Sequence, residues 1–427
     1  MRSSMIARVG KVAACATALA WYVACTPSQP KPEPKAAVGG PPQAVRESLE
    51  GGPYPTLVLS QAWFWKDAQG KSRPGPARLQ IWRQTPHGWE TRRVEDADSN
   101  VFHKAIIEGN GLLTIGGERA MLKRWKKVGA QLVPETIWSH EWGGRFNRLR
   151  DMEIGDVDGD GKDEIVLATH DQGVVAVVHP PASGTATDVV QLDQTPDTFI
   201  HEIEIGDVDG DGKLEFYATP SARNRVGVSQ EGRIVRYDWD GKTYRRTIVD
   251  SLHGTHAKEI LVTDIDGDGR SELFAAIEAR LGEKGRIERP VEIRQYRRSK
   301  AGKWTHDVIA TIDDAQCRFL VAADFDGDGR KEVVASAIKT GLYLLDSEKG
   351  SRTWKVTHFE SDSSGFENAI LPADLDGDGR PELYSAADDQ RQLNGYVWDS
   401  ATSAFVKTLI GPLEPNVITW NIAAGKL

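Results

Sequence analysis

The sequence predicts an all-β fold, a single β-propeller built from repeated small sheets, because of three features. An acidic motif of the type DVDGDGKDE occurs five times, and its copies start at Asp156, Asp207, Asp264, Asp324 and Asp374. The starts lie 51, 57, 60 and 50 residues apart, which is a typical period for propeller blades. Short apolar segments flank each copy, such as EILVT before Asp264 and LFAAI after it, and these are typical of buried strands.

Two further blades without the acidic motif are predicted upstream, at about residues 54–98 and 100–145. The second contains FHKAIIEGNGLLTIGG in place of strand, acidic loop and strand. Near the C-terminus, NVITWNIAAG resembles an innermost strand that no second strand follows, whereas the first blade lacks its innermost strand. We therefore expect the C-terminal strand to complete the N-terminal blade, which closes a ring of seven blades and removes both exposed sheet edges. Six and eight blades are the alternatives.

The N-terminus predicts export. Residues 1–25 combine basic residues with an apolar stretch too short for a transmembrane helix, which is typical of a signal peptide. Its last four residues, YVAC, resemble a bacterial lipobox, so Cys25 is predicted to carry lipids that anchor the protein in a membrane of the cell envelope, facing the periplasm or the cell surface. Plain secretion and an uncleaved anchor are the alternatives. Residues 26–53 form a Pro- and Gly-rich linker, and residues 54–427 form the propeller.

Composition excludes several classes of protein. Cys317 is the single cysteine of the predicted folded region, so a disulfide within that region is excluded. The formal net charge is −9, and the remainder of the chain is mildly basic once the ligand carboxylates of the acidic motifs are set aside. No clustered basic stripe of a nucleic-acid binder is present. GxSxG, P-loop and dinucleotide-binding motifs in a suitable strand and helix context are also absent from the sequence, so the enzyme classes that depend on them are unsupported.

Each acidic motif has the spacing of a calcium loop. In the first copy the carboxylates of Asp156, Asp158 and Asp160, the carbonyl of Lys162 and the carboxylate of Glu164 would be the ligands. The corresponding ligands of the other copies are Asp207, Asp209, Asp211, Lys213 and Glu215; Asp264, Asp266, Asp268, Arg270 and Glu272; Asp324, Asp326, Asp328, Arg330 and Glu332; and Asp374, Asp376, Asp378, Arg380 and Glu382. About five structural Ca²⁺ ions are therefore predicted, and acidic turns without metal are the alternative.

An EF-hand begins in the same way but requires a carboxylate at its twelfth position. That position holds Leu167, Ala218, Ala275, Ala335 and Ser385, so the EF-hand is excluded in all five copies. An acid at the ninth position followed at once by a strand resembles the integrin-type FG-GAP repeat, also called the VCBS repeat, over about residues 148–390. The resemblance implies a β-propeller in which the calcium loop joins the first and second strands of a blade.

One position of the repeat is polar in all seven predicted blades. It lies six residues before the first acid or its counterpart, and it holds His103, Arg150, His201, Lys258, Arg318, Asn368 and Asn416. Since a strand of six residues spans about 20 Å, these side chains are expected at the mouth of the central channel, opposite the acidic loops. They predict a site for a polar or anionic ligand, although strands that begin at a solvent-filled channel can be polar without a ligand.

The predicted function is a calcium-stabilised binding module whose partner is a polar or anionic glycan or a protein. His201 with Glu202, and His256 with Glu259, leave open a transition-metal site or an acid and base pair. The alternative function is therefore a calcium-dependent lyase or dehydratase that acts on polysaccharide, with catalytic residues that the sequence does not identify. A role in protein assembly alone is a third interpretation.

Overall fold

The computed structural model describes residues 42–143, 147–195, 198–223, 229–348 and 351–427. These residues form seven antiparallel blades arranged in a ring, which confirms the predicted fold class and blade number. The predicted signal peptide, Cys25 and most of the predicted linker lie outside the described residues. In the described part of the chain, no helix has the length and apolar character needed to span a bilayer.

The two blades without acidic loops come first in the chain, and their strands are given from the channel outward. Blade 1 consists of Val417–Lys426, Pro55–Lys66, Ala77–Thr85 and Gly88–Asp96, with Ser72–Pro74 added beside its second strand. Blade 2 consists of Phe102–Glu108, Gly111–Gly116, Ala120–Val128 and Gln131–His140.

The remaining five blades each carry one acidic loop between the first and second strand. Blade 3 consists of Leu149–Gly155, Glu164–Thr169, Val175–Val178 and Val189–Asp193. Blade 4 consists of Thr198–Gly206, Glu215–Ala222, Gly232–Trp239 and Tyr244–Leu252. Blade 5 consists of Ala257–Thr263, Glu272–Ile277, Val291–Arg298 and Trp304–Ile312, with Arg280–Leu281, the 3-10 turn Glu283–Gly285 and Ile287–Arg289 inserted. Blade 6 consists of Cys317–Ala323, Glu332–Ala337, Gly341–Ser347 and Trp354–Glu360. Blade 7 consists of Ile370–Ala373, Glu382–Ala387, Gln392–Asp399 and Ala404–Pro412.

The core is divided among the interfaces between neighbouring blades. Seven apolar clusters each combine residues of two adjacent blades, and the last combines blade 7 with blade 1. In that closing cluster, Leu57 and Trp82 of blade 1 pack with Tyr384 of blade 7. Because every blade is covered on both faces, its second strand can be buried throughout, as in Glu164–Thr169, where all six residues are buried and the middle four are apolar.

The chain closes the ring with its own C-terminus, as predicted. Val417–Lys426 pairs antiparallel with Pro55–Lys66, and Leu57 lies opposite Ala424 in the register. The edge that blade 1 would otherwise expose to the channel is thereby paired. Ile422 in the closing strand is 2% exposed and belongs to the cluster shared by blades 1 and 7.

Aromatic residues that begin the outermost strands pack against the preceding blade. Trp304 contacts Tyr217 at a ring distance of 6.3 Å, and Trp354 contacts Phe274 at 5.8 Å. These contacts explain why an aromatic residue recurs at this position of the repeat. Part of the predicted linker also packs, because Leu49 is fully buried against blades 1 and 2 and its backbone N–H donates to the carbonyl of Ala130 at 2.6 Å.

Candidate functional site: acidic loops and channel mouth

The acidic loops all lie at the end of the ring where the inner strands finish. In the first loop the carboxylate of Asp156 accepts hydrogen bonds from the N–H groups of Gly159 at 2.8 Å and Gly161 at 3.0 Å. The φ angles of these glycines are +77° and +86°, a region that favours glycine, so the turn depends on both. The other four loops repeat the two hydrogen bonds.

The ninth-position glutamate connects each loop to the blade. Glu332 begins the second strand of blade 6, is 4% exposed, and accepts a hydrogen bond from the N–H of Phe325 at 2.9 Å. Burial, followed by the charges of Asp326, Asp346 and Asp324, raises its pKa to about 8. Burial likewise raises the pKa values of Glu215 and Glu272 to about 7. Each of these glutamates is therefore held in a setting that penalises its negative charge.

The donor atoms fit a hard divalent cation such as calcium, which prefers oxygen ligands. In the loop at Asp324, one oxygen from each of its three aspartates and from Glu332 lies within 4.8 Å of the others, and the loop at Asp374 has the same arrangement. Asp266 Oδ1 in the loop at Asp264 and Asp209 Oδ1 in the loop at Asp207 are buried and have no hydrogen-bond partner among the described residues. In the loops at Asp324 and Asp374 a single cation could therefore contact several carboxylates at once.

Two of the loops have an additional side chain beside the carboxylates. In blade 3, His179 Nε2 lies 3.4 Å from Asp158 Oδ2 and 4.0 Å from Glu164 Oε1. In blade 4, Arg236 Nη2 lies 2.6 Å from Asp209 Oδ2 and also contacts the carboxylate of Glu215. The five loops are therefore equivalent in backbone but not in their electrostatic surroundings.

The predicted ligand positions lie at the other end of the inner strands, which we call the channel mouth. At His103, Arg150, Lys258 and Arg318 the strand carries one residue more than its partner, and His201 belongs to a similar irregularity with Glu202. Such β-bulges redirect a side chain away from the regular pleat. Each of these five residues is at most 9% exposed.

Two arginines of the channel mouth share one carboxylate. Arg318 Nη1 lies 3.2 Å from Glu367 Oε1, and Arg150 Nη2 lies 3.7 Å from Glu367 Oε2. The Glu367 side chain is 1% exposed. The guanidinium of Arg318 also stands over the ring of Phe366, and that of Arg150 over the ring of Trp420, at 5.3 and 5.2 Å. Two positive charges are thus held by one buried negative charge and two aromatic faces.

Two histidines, His201 and His256, lie together near Lys258 in the channel mouth. His201 Nε2 is 2.8 Å from the hydroxyl of Ser221, and His201 Nδ1 is 3.1 Å from Lys258 Nζ. The ring of His256 lies 5.2 Å from that of His201, His256 is 4% exposed, and neither of its ring nitrogens has a hydrogen-bond partner among the described residues. Burial, followed by the charge of Lys258, holds the pKa of His256 well below its usual value. The neutral form of the His256 imidazole is consequently favoured at this buried position.

Carboxylates dominate the middle of the channel. Lys104 Nζ lies 2.9 Å from Asp151 Oδ1, contacts Glu153, and is 3.9 Å from Glu202 Oε1. Burial, followed by neighbouring carboxylates, raises the pKa values of Glu202 and Glu259 well above the usual range. The glutamates that the sequence paired with His201 and His256 therefore belong to this cluster around Lys104.

The last two predicted ligand positions have other environments. Asn368 is fully buried, and its amide donates to the carbonyls of Ala337 and Ser363. Asn416 is exposed and lies just before the closing strand, where its carbonyl accepts from the N–H of Phe64. In blade 1 the extra residue of the bulge is Trp420, whose ring lies 4.6 Å from that of His103. Trp420 thus occupies the place in the ring of side chains that counting along the sequence assigned to Asn416.

Sequence reasoning also missed Phe366, Glu367 and Lys104. Phe366 and Glu367 precede the inner strand of blade 7 in FENAI, a segment that carries no repeated pattern. Lys104 directly follows His103, at the position that holds Asp151, Glu202 and Glu259 in blades 3 to 5. The change from an acidic to a basic residue at that position could have indicated an ion pair across the channel.

Comparison with known proteins agrees with the repeat and the ring. The family described as FG-GAP-like repeat matches residues 156–218, 264–335 and 324–385. No curated protein matches the chain significantly. Similar solved structures include a candidate 6-phosphogluconolactonase from Bacteroides fragilis, with 14% identity, a TM-score of 0.53, and coverage of 87% of this chain and 98% of that one.

Two other similar structures have different descriptions. A lectin from Agrocybe aegerita, described as recognising non-reducing terminal N-acetylglucosamine, has 13% identity and a TM-score of 0.54 and covers 87% of this chain and 95% of that one. The Dos1 propeller has 9% identity and a TM-score of 0.52 and covers 88% of this chain and 87% of that one. Identities this low establish the fold alone. The chain is a seven-bladed β-propeller that carries FG-GAP-like repeats.

Proposed function

We propose that this protein is an exported binding module in which calcium ions stabilise the acidic loops and the channel mouth binds a polar or anionic glycan. The observation that carries the proposal is the combination of two buried guanidinium groups, one shared carboxylate and an exposed aromatic ring at the mouth. A β-propeller with FG-GAP-like repeats fits a binding module in general. The calcium, the ligand and the export are our proposals.

The charges of the loops support calcium. Each loop brings four carboxylates together, and the raised pKa of Glu332 reflects burial together with the repulsion of its neighbours. A divalent cation would relieve this repulsion and use the oxygen donors that the loops provide. The ions would be structural, because they would lie at the opposite end of the inner strands from the channel mouth.

The charges of the mouth support an acidic group on the ligand. Arg150 and Arg318 both contact the carboxylate of Glu367, so at this contact two positive charges face one negative charge. Burial raises the pKa values of Glu202 and Glu259 well above the usual range, which weakens these groups as charge partners of Arg150. A carboxylate or sulfate of a ligand could pair with the arginines in a partly desolvated setting.

Phe366 provides an apolar contact beside these charges. Its side chain is 45% exposed although it packs against Trp420 at a ring distance of 5.7 Å. An apolar surface with a few convergent polar groups is typical of small-ligand sites, and the guanidinium group of Arg318 stands over the Phe366 ring at 5.3 Å. A sugar ring that carries an acidic group combines these features.

Glycan binding can be tested with Phe366→Ala, which removes an exposed side chain and should leave the fold intact. We expect the variant to lose at least tenfold in affinity for acidic oligosaccharides such as oligogalacturonides, measured by calorimetry in calcium. Val308→Ala is the matched control, because Val308 is 49% exposed on the outermost strand of blade 5. Unchanged affinity in Phe366→Ala would contradict the proposed site.

Two other measurements distinguish the alternative functions. New ultraviolet absorbance from an unsaturated sugar would support the polysaccharide lyase. A partner protein recovered from intact cells, without glycan binding, would support a protein ligand.

Calcium binding can be tested by removing the metal. We expect chelation to lower the thermal unfolding temperature and mass analysis to find bound metal in the native protein. Unchanged stability together with no stoichiometric metal would contradict the calcium proposal.

The cellular location rests on the N-terminal sequence. We propose that Cys25 is lipidated and holds the propeller at a membrane of the cell envelope, with the residues before Val45 as a spacer. Metabolic labelling with a fatty acid tests this proposal. The label should be present in the wild type and absent in Cys25→Ser, and an unlabelled wild-type protein would contradict the anchor.

A further inference from the structure

We propose that the acidic loop of blade 4 does not bind calcium, because Arg236 takes the place of the ion, and that the protein therefore binds four calcium ions. The inference rests on the proposed role of calcium. It concerns the loop formed by Asp207, Asp209, Asp211, Lys213 and Glu215, whose sequence alone resembles the other four.

Arg236 lies among the carboxylates that would bind the ion. Its Nη2 atom is 2.6 Å from Asp209 Oδ2 and makes closer contacts with Glu215 Oε1 and Asp238 Oδ1. Arg236 is 4% exposed. A calcium ion needs oxygens at about 2.3–2.6 Å, so it would compete with this nitrogen for the same atoms of Asp209 and Glu215.

A second arginine reaches the same loop from the next blade. Arg298 Nη1 lies 2.9 Å from Asp209 Oδ2. Arg236 and Arg298 together supply two positive charges, the charge of one Ca²⁺. If calcium displaced Arg236, the guanidinium would stay buried near the ion, and the like charges would oppose binding.

The other four blades with acidic loops have no cation at the position of Arg236. Arg236 lies opposite Tyr217 in its sheet. The residues at the same place in the four other acidic-loop blades are Val177, Gln295, Leu344 and Gly395. Among the five blades with acidic loops, blade 4 is therefore the one in which this position of the third strand holds a charged residue.

Blade 6 is the closest comparison. Asp238 of blade 4 and Asp346 of blade 6 lie at equivalent positions, two residues after Arg236 and Leu344, so each loop has one additional acid nearby. In the described part of the chain, no ion pair involves the four loop carboxylates of blade 6. The main differences between the two loops are therefore the two arginines that contact Asp209 in blade 4, and at the position of Arg236 blade 6 has leucine.

Counting the bound ions tests the inference. Metal-free protein titrated with calcium and examined by native mass spectrometry should bind four ions per chain. Arg236→Leu, which gives blade 4 the residue of blade 6, should bind five. Arg233→Leu is the matched control, because Arg233 is exposed on the same strand, and it should bind four. Asp324→Asn combined with Asp328→Asn should bind three, which calibrates the count for one lost loop.

The outcomes separate this inference from the calcium proposal. Five ions on the wild type would overturn the inference and leave the calcium proposal intact, and this measurement does not depend on whether any variant folds. Four ions on both the wild type and a folded Arg236→Leu would also overturn it. No bound ions at saturating calcium would overturn the calcium proposal and the inference together.

Discussion

Replacing Glu367 by Gln should destabilise the protein by removing the carboxylate that Arg150 and Arg318 share. The two guanidinium groups lie 3.7 and 3.2 Å from a side chain that is 1% exposed, so the change leaves two buried charges without their partner. Breaking a buried ion pair from one side costs about 3–5 kcal/mol. The entropy of unfolding is about 0.8 kcal/mol/K for a domain of this size at about 2.1 cal/mol/K per residue, so the unfolding temperature should fall by roughly 4–6 °C.

The assay is thermal unfolding followed by tryptophan fluorescence in saturating calcium. Glu118→Gln, an exposed glutamate in blade 2, serves as the control and should change stability by less than about 0.5 kcal/mol. Sodium sulfate should stabilise Glu367→Gln more than it stabilises the wild type, because an anion could replace the lost carboxylate. An unfolding temperature equal to that of the control variant would refute the idea that the Glu367 carboxylate stabilises the two arginines of the channel mouth.

Three further perturbations test other parts of the structure. Burial raises the pKa of Glu278 to about 8. The stability that Glu278 contributes is therefore complete below about pH 4.5 and is lost as the pH rises through about 8. Glu278→Gln should flatten the decline of the urea midpoint over this pH range, and an unchanged slope would contradict the raised pKa of Glu278. Deleting residues 417–427 should expose the inner edge of blade 1 and give aggregates in size-exclusion chromatography, whereas a folded monomer would contradict closure by the C-terminus. Leu49→Ala should cost about 2–5 kcal/mol in chemical unfolding because Leu49 is fully buried, and Val45→Ala, at an exposed position, should cost far less.

The ring could be predicted from the sequence because its determinants are local and repeated. A loop of the type at Asp324 requires acids and glycines at fixed spacing, and the strand after it must be apolar because both faces are covered. Closure was predictable for a related reason. The C-terminal segment looks like an inner strand without a partner, and the first blade lacks its inner strand. In a closed ring these two pair with each other.

The channel mouth was only partly predictable because its contacts join distant, non-repeated residues. Counting from the acidic loops identified the four bulged residues from Arg150 to Arg318, since these strands end in a loop of constant length. Blade 1 has no acid from which to count, and its bulge falls at Trp420 instead of Asn416. Glu367 enters the mouth from a connection between blades, where neither periodicity nor spacing constrains a side chain.

The same reasoning explains why the loop of blade 4 looks ordinary in sequence. Its acids and glycines match the other loops, but Arg236 belongs to the third strand and reaches Asp209 only after the sheet has formed. The repeat motif therefore specifies the backbone of all five loops, while the neighbouring strand decides the charge around each one. If calcium binds as proposed, the inner strands of blades 3, 5, 6 and 7 end in metal loops, whereas the strand that carries His201 ends in a loop neutralised by the protein itself. The position of His201 at the channel mouth would then be less sensitive to calcium than the position of Arg318, whose strand runs directly into the loop at Asp324.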